Sequence, residues 1–162
     1  MREKGIMEGD GKNVRPKDQV TRGEFAKIIV TAFGFEAGTD ATSFTDANGA
    51  WWDSYAKIAA VNNIVNGLGD GSFGGDTVIN REQLAVMIDR AVKAKGYDLY
   101  DNNEGVSFDD ASYISDYAKE SISYLAKKGI VSGIGDGLYA PGLSVTREEA
   151  AQIVYNVLNN LQ

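Results

Sequence analysis

Apolar residues recur at helical spacing in three stretches of the chain. Phe25, Ile28, Ile29, Ala32 and Phe33 set the pattern. Leu84, Met87, Ile88, Ala91 and Val92 repeat it, as do Ala150, Ile153, Val154, Val157 and Leu158. Each run predicts an amphipathic helix with one apolar stripe turned to a core. The openers read Thr21-Arg22-Gly23-Glu24, Asn80-Arg81-Glu82-Gln83 and Thr146-Arg147-Glu148-Glu149. A Thr or Asn followed three positions later by Glu or Gln predicts a capping box at each start, with Gln83 and Glu149 reaching back to the cap amide. Phe44-Thr45-Asp46 and Phe108-Asp109-Asp110 introduce two shorter helical stretches, begun by the aromatics Trp51, Trp52 and Tyr117.

The elements repeat as a unit. Asn63-Ile64-Val65-Asn66-Gly67 returns as Gly129-Ile130-Val131-Ser132-Gly133, and Gly67-Leu68-Gly69-Asp70-Gly71 as Gly133-Ile134-Gly135-Asp136-Gly137. Gly5-Ile6-Met7-Glu8-Gly9 marks a third copy, and Pro16, Gly75 and Pro141 each precede a long-helix opener by five residues. The organisation expected is one domain over 1–162 with a partial repeat at 1–35 and full repeats at 44–95 and 108–162. Each full repeat reads helix, Gly-rich loop, helix. Phe35 to Ser43 and Lys93 to Val106 read as linkers. Aligning Lys4-Gly5-Ile6 with Lys128-Gly129-Ile130 puts Met1 inside the first helix of its repeat, as expected of a boundary cut within a repeat, a proteolytic fragment or a domain completed by another chain.

Composition then narrows the chemistry. The chain has no Cys and no His, which removes thiolate and imidazole metal sites and every Ser-His or Cys-His pair. A net charge of -7 argues against nucleic acid and anionic membrane surfaces as partners. No apolar run is long enough to span a bilayer, so membrane insertion is not expected. Reading Asp70 as the start of a calcium loop puts Arg81 where a bidentate Glu is required, so neither a metal nor another cofactor is expected.

Helix propensity does not explain one residue type. Arg22, Arg81 and Arg147 each sit in a first helical turn, where a cation faces the positive end of the dipole. Free N–H groups plus a guanidinium make an anion site with the geometry for a carboxylate. The alternative is a structural ion pair with Asp46 or Asp110. An aromatic such as Trp51 or Tyr117 beside an Arg can be core, or can hold a sugar by its apolar face.

Together these motifs resemble the S-layer homology domain: Phe108 with Asp110, Tyr117, Gly129-Ile130-Val131-Ser132-Gly133, Pro141 and Thr146-Arg147-Glu148-Glu149. The resemblance implies an all-α fold of three helix-loop-helix repeats in a pseudo-threefold arrangement around a central three-helix bundle. It also implies an extracellular module, at the bacterial cell surface, that binds secondary cell-wall polysaccharide carrying a pyruvate ketal in grooves between repeats. The ligand-binding candidates are Arg22, Arg81, Arg147, Trp51, Tyr117, Asp46, Asp110, Gln83 and Glu149. Repeat two departs from the family pattern at Asn80 and Gln83, and repeat three has Tyr117 in place of the usual Trp. At most two competent grooves are expected. Alternatives are peptidoglycan binding and self-association through the partial first repeat. An enzyme is not expected: a glycosidase would need a carboxylate pair such as Asp46 and Asp110, but those residues repeat with the fold, as helix-start residues do.

Overall fold

The computed structural model describes residues 15, 17–37, 43–98, 100 and 105–161. The first repeat's Gly5-Ile6-Met7-Glu8-Gly9 motif, Pro16 and the helix expected at Met1 lie outside them. The described residues are all-α: α1 (Arg22–Phe33), α2 (Asp53–Val61), α3 (Arg81–Ala94), α4 (Asp116–Lys127) and α5 (Arg147–Asn160), with a short 3-10 turn at Ala111–Tyr113 before α4. Helix α3 runs two residues into the stretch read as linker.

The long helices begin where the openers placed them. Thr21 and Glu24 form a full capping box on α1, as do Asn80 and Gln83 on α3. The third is only half formed: the Thr146 hydroxyl accepts from the Glu149 amide at 3.2 Å, but the Glu149 carboxylate does not return to the Thr146 amide. Just ahead of the three openers, equivalent residues close a ring of backbone hydrogen bonds. Val20 donates to Val145 (2.9 Å), Ile79 to Val20 (2.9 Å) and Val145 to Ile79 (3.3 Å). All three side chains are buried, so amides that solvent cannot reach have partners.

Each short helix packs on the long helix that precedes it in sequence, α2 on α1 and α4 on α3. The interleaving follows from side-chain size. Ala56 and Ala59 let α2 approach α1 closely, and Ala118, Ser121, Ile122 and Leu125 form the α4 stripe on α3. Asp89, buried within this second pair, accepts from the Ser121 hydroxyl at 2.8 Å, the Tyr100 hydroxyl at 2.8 Å and Lys93 Nζ at 3.2 Å. Linker, α3 and α4 therefore meet on one carboxylate.

Helix α5 differs. Its Tyr155 is 53% exposed, where the equivalent Val30 and Asp89 are 5% and 3% exposed. Ile153 and Leu158, expected in the core, are only half-buried, because no short helix among the described residues covers that face of α5.

The two adjacent tryptophans part company. Trp52 is 1% exposed, packs at a tilt against Phe73 with ring centres 5.4 Å apart and donates Nε1 to Asp76 at 3.2 Å, whereas Trp51 is 54% exposed. The buried ring is admitted by glycines: a Cβ on Gly75 would stand 2.0 Å from Trp52, and one on Gly23 would stand 2.8 Å from it. In the next repeat Ala118 replaces Trp52, and Pro141 and Glu82 fill the space of the two glycines.

Candidate anion-binding cleft

Each full repeat carries a clamp around one aromatic residue. Asp46 accepts the amides of Phe73 and Gly74 at 2.9 and 2.8 Å, and Arg22 Nε donates to the Phe73 carbonyl at 2.9 Å while its guanidinium lies 4.8 Å from the Phe73 ring centre. In the following repeat Asp110 accepts from Tyr139 and Ala140 at 3.0 and 2.8 Å, and Arg81 Nε donates to the Tyr139 carbonyl at 2.8 Å with its guanidinium 4.5 Å from that ring. Asp46 and Asp110 therefore hold loop backbone rather than arginine side chains. Among the described residues no ion pair joins Arg22 to Asp46 or Arg81 to Asp110. Burial works against both carboxylates, but the amide hydrogen bonds outweigh it and hold their pKa values below the ordinary range. The Tyr139 phenol is pushed up to about 12 by burial, against the pull of Arg81.

The three motif arginines end in different company. Arg147 pairs with Glu24, the residue that also caps α1. Arg81 Nη2 donates to the Ser132 carbonyl, so its guanidinium is held at two carbonyls and a ring. Arg22 is 7% exposed and meets no carboxylate; burial lowers its pKa, opposed in part by Tyr117 and Asp46. Its Nε is anchored on Phe73, and its Nη groups make no hydrogen bond to the described protein. A cation withdrawn from water with no carboxylate in direct contact is costly. It borders open space.

That space is a cleft of about 310 Å³ between α1, the loop after α2, and α3. Its polar lining is Arg22, Gln83, Arg90, Asn66 and Tyr117, with Met87 and Val86 on its floor. Among the described residues no carboxylate lines it. Gln83 turns Oε1 to the Asn80 amide at 3.1 Å, leaving its Nε2 as a donor. Tyr117 is placed from α4 because Glu82 accepts both the amide and the hydroxyl of Ser115, at 2.8 and 2.9 Å. Burial and the nearby Glu82 raise the Tyr117 pKa, so its phenol stays a donor at neutral pH. Guanidinium, amide and phenol donors converge beside an apolar floor, an arrangement that suits an anion carried on a sugar or other ring.

A second cleft of about 420 Å³ is built from equivalent elements: Arg81, the loop from Gly129 to Ile134, and α5. It differs in charge, since Glu148 and Glu149 line it beside the single Arg81. Trp51 lines neither cleft; it packs edge-on against Tyr55 at 6.4 Å. The structure thus gathers Arg22, Gln83 and Tyr117 in one place and Arg81 and Glu149 in another. Asp46 and Asp110 stand behind them, and Arg147 and Trp51 stand apart. Arg90 was missed in the sequence. Gln83, Met87 and Arg90 fall at i, i+4 and i+7 on α3, a single-face spacing that could have flagged it.

Among the described residues, no group of three or more Asp and Glu is arranged to hold a metal ion, and no helix is long and apolar enough to cross a membrane. The S-layer homology domain model matches residues 1–26, 43–85 and 107–151. The chain is 31% identical to an amylopullulanase of Thermoanaerobacterium thermosulfurigenes over 94% of its own length and 8% of that protein's. It is 32% identical to an exoglucanase of Acetivibrio thermocellus over 96% and 15% of the two lengths. To an S-layer protein of Bacillus thuringiensis subsp. finitimus it is 27% identical over 94% and 18%. The chain spans less than a fifth of each relative, and the same segment recurs in proteins named as enzymes and as surface-layer proteins. With three matched segments that together cover more than half of its length, the chain belongs to the S-layer homology domain family.

Proposed function

We propose that this chain is a non-catalytic module that anchors its parent protein at the bacterial cell surface by binding secondary cell-wall polysaccharide, with a pyruvate-ketal carboxylate held in the first cleft. The observation that carries this reading is Arg22: buried, without an ion pair to a carboxylate among the described residues, and bordering a cleft whose other charged residue among them is Arg90. A ketal carboxylate would take the Arg22 Nη groups bidentately, and the sugar ring would lie on Met87 and against Tyr117. Surface-layer and cell-surface names among the relatives agree with this location. The test is cosedimentation with isolated cell walls. Substituting Arg22 and Arg90 together with Ala should abolish it while helix content by circular dichroism stays unchanged. Undiminished cosedimentation would remove the carboxylate clamp and favour a peptidoglycan reader.

A second reading rests on α5, whose face no short helix among the described residues covers, where α1 and α3 carry α2 and α4. A helix of the α2 or α4 type from a second copy would fit there, giving self-association. Light scattering that reports a monomer across a wide concentration range would dismiss it.

A further inference from the structure

We infer that Gln83 selects the charge of the ligand, so that of the two described clefts only the first accepts a carboxylate. The inference rests on the carboxylate reading above and adds to it a residue that decides where a carboxylate is accepted.

The third residue of each long helix lies near the motif arginine of another. Glu24 of α1 stands against Arg147 of α5, Gln83 of α3 lines a cleft with Arg22 of α1, and Glu149 of α5 lines a cleft with Arg81 of α3. The first case shows what a carboxylate does at this position. One Glu24 oxygen takes the Thr21 amide, and the other pairs with Arg147. At Gln83 the geometry is the same but the chemistry is inverted. Oε1 takes the cap amide, so Nε2 stands where Glu24 places its second oxygen. A donor there cannot neutralise Arg22, and it adds a hydrogen bond for an incoming carboxylate. The helix start is preserved because an amide oxygen caps as a carboxylate does.

In the second cleft the Glu149 carboxylate is not held by its cap, and Glu148 lines the wall beside it. Arg81 already donates to two carbonyls. An anion entering there would meet the Glu149 carboxylate and a Glu148 already paired with Lys17 at 3.1 Å, beside a cation with two of its five donors engaged. The clefts are thus equivalent in fold and opposite in charge, and a single amide-for-acid exchange is what leaves Arg22 unneutralised in the first.

The test uses a methyl glycoside carrying a pyruvate ketal, and its counterpart with the ketal carboxyl reduced to an alcohol. Calorimetry on the whole chain should give one equivalent of the acid bound. Gln83→Glu, which keeps the capping box and hence the fold, should weaken that binding by about 100-fold while the affinity for the alcohol is unchanged. Two equivalents on the unmodified chain, or wild-type affinity in Gln83→Glu, would overturn the selector and leave the anchor reading intact. No preference for the acid over the alcohol on the unmodified chain would overturn both.

Discussion

Replacing Arg22 with Met separates a functional cation from a structural one. The substitution keeps an unbranched side chain and removes the charge. The losses are the Nε hydrogen bond to the Phe73 carbonyl, about 1.5–3 kcal/mol for a charged donor, and the guanidinium contact with the Phe73 ring, about 0.5–2 kcal/mol. Against them stands the cost of keeping an unpaired cation out of water, several kcal/mol for a closed site and less here because the Nη groups reach the cleft. Losses of about 2–5 kcal/mol set against a removable penalty of about 1–4 kcal/mol leave a net destabilisation centred near 1 kcal/mol. For a chain of this size that moves the thermal midpoint by roughly 2–4 °C. Urea unfolding gives the free energy, and calorimetry with the ketal glycoside gives the affinity. The expected result is near-native stability with binding lost. A variant destabilised by more than about 3 kcal/mol that still binds the glycoside would show that Arg22 is a structural brace and that the reasoning is wrong.

Other outcomes follow from the same contacts. Arg147→Met breaks the pair with Glu24, both side chains being largely shielded, and should cost about 1–3 kcal/mol in urea unfolding with glycoside affinity unchanged. Gly75→Ala drives a methyl into Trp52 and should destabilise the fold by about 1–3 kcal/mol, visible as a lower urea midpoint at unchanged slope. Asp46 and Asp110 have pKa values below the ordinary 3.8, so their contribution is present above 3.8 and is lost as pH falls through the folded values. Thermal midpoints measured from pH 6 to pH 2 should fall at the acid end, and Asp46→Asn combined with Asp110→Asn should flatten that fall. Arg90→Ala removes a side chain whose one hydrogen bond, to the Ile64 carbonyl, is long at 3.5 Å; it should leave stability within about 0.5 kcal/mol and weaken glycoside binding roughly 10-fold.

The helices and their starts were legible because periodicity and caps are local. The stripe from Phe25 to Phe33 and the Thr21 to Glu24 box need only a few neighbouring residues to be read, and both occur as expected. Burial of Ile153 and Leu158 was not legible, since it depends on whether a short helix arrives from elsewhere in the chain. For the same reason the sequence could not say that α2 packs on α1 rather than on α3. Trp51 and Trp52 are indistinguishable to periodicity; only Gly23 and Gly75, remote in sequence, decide which ring is buried. At the cleft, three arginines in equivalent motifs looked alike. What separates them is the company the fold brings to each: a carboxylate for Arg147, two carbonyls for Arg81, and one carbonyl plus an open cleft shared with Gln83 for Arg22. The departure that flagged Gln83 as a lost charge was visible in the sequence, but that it shares a cleft with Arg22 was not.

The central claim is that a buried, unpaired Arg22 exists to meet a carboxylate on the cell-wall polymer. Calorimetric titration of the purified chain with secondary cell-wall polysaccharide, native and after mild acid removal of its ketals, tests it most directly. Binding to the native polymer that disappears with the ketal is the result expected. Equal affinity for the stripped polymer would contradict the claim and return the cleft to a neutral-sugar or peptidoglycan reader.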